Sequence, residues 1–161
     1  MSRLFLDTEF NGFQGELISM ALVSAEGYEW YRTVRFVEKP DPWVADNVLP
    51  WLGKVTEMTT RHCDAHGELG KSLQAFLSSY RDCEIIADWP ADFEHFASLL
   101  TGIGADGGFK EAFPCTMRLI NVPGQLKPEV PHNALSDARA LRDWWLAAEQ
   151  DQRHRTLGIK Y

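Results

Sequence analysis

Leu4-Phe5-Leu6-Asp7-Thr8-Glu9-Phe10 is an apolar, β-prone run that ends in two carboxylates one residue apart. Side chains at i and i+2 of a strand share a face, so Asp7 and Glu9 are expected to project together from the end of a buried strand. Two carboxylates that close repel, and one would ordinarily stay protonated to relieve the conflict. A hard divalent cation such as Mg²⁺ or Mn²⁺ relieves it instead, because oxygen ligands suit these ions. The same stretch also reads as a strand that simply runs out into a polar loop. Which reading applies depends on whether more acids arrive later in the chain.

Working outward, residues 4–9 form the first expected strand, and Gly12 and Gly15 bracket a turn. Glu16 to Val23 reads as a second, largely buried strand, Glu26-Gly27 as a hairpin-type break, and Tyr28 to Phe36 as a third strand. Three strands joined by short turns make an antiparallel meander. Pro40 and Pro42 end it, and residues 43–53 show near-helical apolar spacing until Pro50 interrupts. Leu69, Leu73, Phe76, Leu77 and Tyr80 fall at helical intervals and predict an amphipathic helix. Cys83 to Asp88 reads as a short buried strand ended by Trp89-Pro90, and Phe93 to about Thr101 as a helix closed by Gly102 and Gly104. A glycine-rich loop (102–108), a strand from Cys115 to Val122 and a proline-containing loop from Pro123 to Pro131 follow. The final helix is expected to start near Asn133, a good N-cap residue, and to carry Leu135, Ala138, Leu141, Trp144, Trp145 and Ala148, with the last ten residues a polar, basic, frayed tail. Strands first in a meander and then alternating with helices indicate an α/β mixed sheet, the meander plus parallel strands, with helices on both faces.

The chain has 161 residues, a length that suits one domain, and a single domain over 1–161 is expected. No apolar run reaches the length of a membrane span and no basic-then-apolar leader stands at the start, so no membrane association is expected. Cys63, Cys83 and Cys115 are odd in number and unhelpfully spaced for a disulfide framework, which fits reduced thiols in a cytoplasmic protein. The net charge of −7 argues against a broad electrostatic face for duplex DNA. It leaves room for an enzyme that grips a few nucleotides through metals and stacking.

More acids do arrive. Asp88-Trp89-Pro90-Ala91-Asp92-Phe93 lies at the carboxyl end of the buried strand and the start of a helix, where open α/β sheets place their ligands. In His132-Asn133-Ala134-Leu135-Ser136-Asp137-Ala138 a histidine precedes a helix and an aspartate sits in its early turns. Each of these residues alone also has a structural reading. Asp92 and Asp137 could be helix N-terminal acids that favour the macrodipole, and His132 an ordinary loop histidine.

Together, Asp-x-Glu on the first strand, an Asp opening a mid-chain helix and His-x4-Asp near the C-terminus resemble the DEDDh branch of 3′→5′ exonucleases. The resemblance covers nearly the whole chain, and residues 132–138 are similar to that family's His-x-Ala-x-x-Asp-Ala pattern. It implies a ribonuclease H-like fold, two divalent cations (Mg²⁺ or Mn²⁺), Asp7, Glu9, Asp92 and Asp137 as metal ligands, and His132 as a catalytic residue. The family has an Asn four residues before the second-motif Asp; here that place holds Asp88, which either adds a carboxylate on the substrate side of the site or caps the following helix. Within the branch, Phe5 to Phe10 followed by Glu16-Leu17-Ile18-Ser19 looks most like the ribonuclease AS group.

Phosphodiester hydrolysis with two metals about 3.5–4 Å apart needs several carboxylates converging from different segments. Asp7 is the natural shared ligand, with Glu9 and Asp137 on the nucleophile side and Asp92 on the other. Histidine, whose ordinary pKa is about 6.5, suits His132 to take the proton of the attacking water. Phe10 could stack on a terminal base. The expected activity is 3′→5′ exoribonuclease action on single-stranded RNA ends, releasing nucleoside 5′-monophosphates. The alternatives are a DNA exonuclease of proofreading or repair type and a catalytically silent nucleic-acid-binding module. A homodimer accords with the resemblance and with six tryptophans in a small chain.

Other patterns read more simply. Gly102-Ile103-Gly104-Ala105-Asp106-Gly107 matches a dinucleotide-binding pattern, but no strand precedes it, so it reads as a helix end and loop. His62-Cys63-x-x-His66 lacks a second ligand pair and reads as a solvated loop. Trp144-Trp145 reads as core or dimer contact.

Overall fold

β1 (Arg3–Phe10) is the strand on which the rest is assembled. It pairs antiparallel with β2 (Leu17–Ser24), which pairs antiparallel with β3 (Glu29–Val34), giving the expected meander. On its other edge β1 pairs in parallel with β5 (Cys83–Ala87), which pairs in parallel with β6 (Cys115–Leu119). A three-residue strand, β4 (Arg61–Cys63), adds to β3 in parallel. The sheet order is β4-β3-β2-β1-β5-β6. This is an α/β fold with a mixed sheet, consistent with a ribonuclease H-like arrangement. The computed structural model describes residues 1–35, 37–55, 61–63, 66–101, 113 and 115–156, and the backbone alone at 61, 62, 66 and 153–156. Phe36, the glycine-rich loop 102–108 and residues 157–161 lie outside the described residues.

Alternation along β1 divides its side chains between two layers. Leu4 and Leu6 pack with Leu69, Leu73 and Leu77 of α2 (His66–Leu77) and with Phe96 of α3 (Pro90–Leu100). Phe5 points the other way, onto Leu141 of α4 (Ala134–Thr156), with its ring 6.3 Å from that of Trp145. β2 is buried along its whole length, which explains why its sequence is a nearly continuous apolar run rather than an alternating one. The helices therefore lie on both faces, as expected, and among the described residues none is long and apolar enough to cross a membrane.

Several elements differ from the sequence expectation. The run 43–53 is divided into α1 (Pro42–Asn47), capped by Asp41 accepting from the Trp43 N–H at 2.8 Å, and a 3₁₀ turn (Leu49–Trp51) that contains Pro50. The stretch read as a loop around His62 and His66 is instead the end of β4 and the start of α2, and those two side chains lie outside the described residues. β6 ends at Leu119, short of Val122. α4 continues to Thr156, into the stretch read as a frayed tail: once the packed first turns pay nucleation, each further residue adds a hydrogen bond at little cost.

The start of α4 is set by Asn133. Its Oδ1 accepts from the N–H groups of Leu135 and Ser136, and its Nδ2 donates to the Trp51 carbonyl at 2.8 Å and to the Tyr31 hydroxyl at 3.3 Å. Asn133→Ala would remove the cap and leave the Trp51 carbonyl without this donor. We expect a loss of about 2 kcal/mol, the upper end of the capping range, read as a lower urea midpoint at unchanged slope.

Candidate metal centre

The carboxyl end of β1 is where the two helical layers meet. Asp7 and Glu9 point to the α4 side with Phe5, while Thr8 points to the α3 side with Leu4 and Leu6. Thr8 receives Asp92 there: one carboxylate oxygen of Asp92, Oδ1, accepts from the Thr8 N–H at 3.1 Å and from its hydroxyl at 2.6 Å. Asp92 stands in the first turn of α3 and Asp137 in the first turn of α4, on opposite faces of the sheet. Both positions also suit the helix dipole, so the structural and functional readings of these acids are compatible. Asp137 reaches back to accept from the Asn133 N–H at 3.0 Å, which fixes its carboxylate beside the strand end.

The result is two overlapping trios. Asp7, Glu9 and Asp137 bring one carboxylate oxygen each to within 4.8 Å of one another, and so do Asp7, Asp88 and Asp92. Asp7 belongs to both. The N-cap of α3 is Trp89, so Asp88 is not that cap; its carboxylate joins the cluster.

Burial and mutual repulsion push these groups up. Asp7 lies well above the ordinary carboxylate range, chiefly because it is desolvated and then because Asp92, Glu9, Asp137 and Asp88 surround it. Glu9 is pushed to about 8 by burial and by Asp137 and Asp92. Asp92 is pushed to about 7 by burial, held back by the Thr8 hydroxyl, and Asp137 to about 6 by burial, held back by the Asn133 N–H. Asp88 is raised by burial as well.

Two observations fit this set to divalent cations. All its donors are hard oxygens drawn from three chain segments. The second oxygen of Asp92, Oδ2, is buried with no hydrogen-bond partner among the described residues, although a buried acceptor is normally satisfied. A cation held by Asp7, Asp88 and Asp92 would satisfy it.

The elevated pKa values carry a consequence for the metal-free protein. The acids return to about 4 on unfolding, so between about pH 4 and pH 8 the folded state holds more protons than the unfolded one, and stability falls as pH rises through that window. In a chelator, Tm should be several degrees lower at about pH 8 than at about pH 5, and Mg²⁺ or Mn²⁺ should raise Tm more at the higher pH. A metal-free Tm that climbs over this range would contradict a like-charge cluster.

His132 sits at the rim, exposed, with a left-handed backbone (φ +59°) and its ring 4.8 Å from that of Trp43, edge to face. It and the acids open into a cleft of about 900 Å³. Phe10 lines this cleft, with its ring 5.0 Å from that of His95. Trp43 and Trp89 line it as well, 52% and 55% exposed, and the segment from Asn121 to Pro128 supplies the remaining wall, with Lys127 in it. The structure thus brings Asp7, Glu9, Phe10, Asp88, Asp92, His132 and Asp137 to one cleft. Sequence reasoning missed Trp43, Trp89 and Lys127. The available signal was a tryptophan placed directly between Asp88 and Pro90. Comparison of the chain with protein-family models finds none that matches, and comparison with curated proteins finds no match either.

Proposed function

We propose that this chain is a metal-dependent 3′→5′ exonuclease that acts on single-stranded RNA ends and releases nucleoside 5′-monophosphates. One observation carries the reading: two carboxylate trios that share Asp7 at the floor of an open cleft. Divalent cations, when bound, supply the charge that makes a water nucleophilic and stabilises the departing 3′-oxygen. Asp7 would hold both ions, Glu9 and Asp137 the first, and Asp88 and Asp92 the second. His132, exposed at the rim beside the first trio's helix, is the base that accepts the water's proton. Phe10 offers a ring to the released base. Aromatic rings and a single lysine, rather than a broad basic face, line the cleft among the described residues, which suits a few unpaired nucleotides better than a duplex. The preference for RNA follows the likeness to the ribonuclease AS group, and the cytoplasmic compartment read from the three thiols belongs to the same proposal.

The test is a time course on 5′-labelled RNA and DNA oligonucleotides of one sequence with Mg²⁺, Mn²⁺ or EDTA. The expected result is metal-dependent laddering of RNA from the 3′ end, with DNA slower and EDTA stopping both. Faster loss of DNA would make the protein a deoxyribonuclease of repair or proofreading type. Oligonucleotide binding with no shortening under any metal would leave a binding module.

A further inference from the structure

The geometry points to Trp89 as the platform on which the base of the nucleotide upstream of the cleaved bond stacks. This subsite rests on the nuclease reading. In an in-line displacement the attacking and leaving oxygens lie on opposite sides of the phosphorus. His132 and the trio Asp7–Glu9–Asp137 mark the side of attack, because His132 and Asp137 come from the same helix start. The trio Asp7–Asp88–Asp92 then marks the side of departure. For 3′→5′ removal of one nucleotide, the departing oxygen is the 3′-oxygen of the upstream nucleotide. Trp89 stands in the chain between Asp88 and Asp92, at the edge of that second trio.

Three features suit it to receive a base. Its side chain is 55% exposed in the cleft, where a large apolar ring gains nothing from water. Its backbone is extended (φ −124°, ψ 133°) and held by the turn that positions the carboxylates: Pro90 follows at the first helical position, and the Trp89 carbonyl accepts from the Asp92 N–H at 3.3 Å. Trp43, the other exposed tryptophan of the cleft, is engaged with the His132 ring on the side of attack, so the two indoles serve different ends. Stacking is sequence-tolerant, because every base has a π-face. Trp89 therefore demands an upstream nucleotide without demanding a particular one.

The experiment is a cycle on a 5′-labelled RNA oligonucleotide and its counterpart with a tetrahydrofuran abasic residue at the penultimate position. Both carry the same scissile bond and the same released nucleotide. Wild-type protein should lose about ten- to a hundredfold in kcat/KM on the abasic substrate, mostly through KM. Trp89→Ala should lose a similar factor on the normal substrate and little more on the abasic one, since the partner is already gone. Trp89→Phe should recover most of the loss. Independent, multiplying losses, or a Trp89→Ala enzyme that cleaves normal RNA at the wild-type rate, would overturn the subsite while leaving the nuclease intact. Failure of the wild-type protein to shorten either oligonucleotide would overturn the nuclease reading, and the subsite with it.

Discussion

Asp7→Asn should abolish metal-dependent hydrolysis, lowering kcat by about three orders of magnitude or more, while raising the stability of the metal-free protein. The two effects have one cause. Asp7 is the residue common to both carboxylate trios, so on the proposed reading the amide would remove a negative oxygen from each ion at once. Among the described residues Glu9 and Asp137 belong to one trio and Asp88 and Asp92 to the other, so none of them joins the two as Asp7 does. Without metal, however, Asp7 is the group most crowded by like charge, and four carboxylates raise its pKa on top of its burial. A neutral side chain of the same shape relieves that repulsion, so Tm in a chelator at about pH 8 should rise. Full activity in Asp7→Asn, or lost activity accompanied by a lower metal-free Tm, would show that Asp7 has a different role.

His132→Ala should reduce turnover by about 10²–10⁴-fold and leave metal affinity unchanged. The histidine ring belongs to neither trio, so on the proposed reading removing it would take away a proton acceptor and no ligand. Because it is exposed, its loss opens no cavity. Its backbone is a complication, since φ is +59° and alanine tolerates the left-handed region poorly. His132→Asn accepts that conformation and should lose the same factor at wild-type stability. If both variants lost metal affinity in step with activity, His132 would be a ligand rather than a base.

The parts of this molecule legible in the sequence are those fixed by local rules. Period-two alternation was enough to put Asp7 and Glu9 on one face of β1, and short turns at Gly12 and Gly27 were enough for the meander. The Asn133 cap followed from side-chain chemistry and the helical pattern after it. What was hidden depends on distant segments. β4 is three residues long and gains its place only by parallel pairing with β3, which no local signal announces. Whether Asp88 joined the site or capped α3 turned on a distance to Asp7, eighty-one positions earlier in the chain. Trp43 and Trp89 escaped because the sequence shows one only as part of a helically spaced run and the other only as the end of a strand, and the folded structure shows both facing a cleft.

The most direct test of a two-cation centre at Asp7 is anomalous diffraction from crystals of the protein grown with Mn²⁺. Two Mn²⁺ peaks are expected about 3.5–4 Å apart, one on either side of Asp7, the first reached by Glu9 and Asp137 and the second by Asp88 and Asp92. Mn²⁺ bound elsewhere, or a cluster that stays protonated and metal-free at saturating Mn²⁺ and about pH 8, would contradict it.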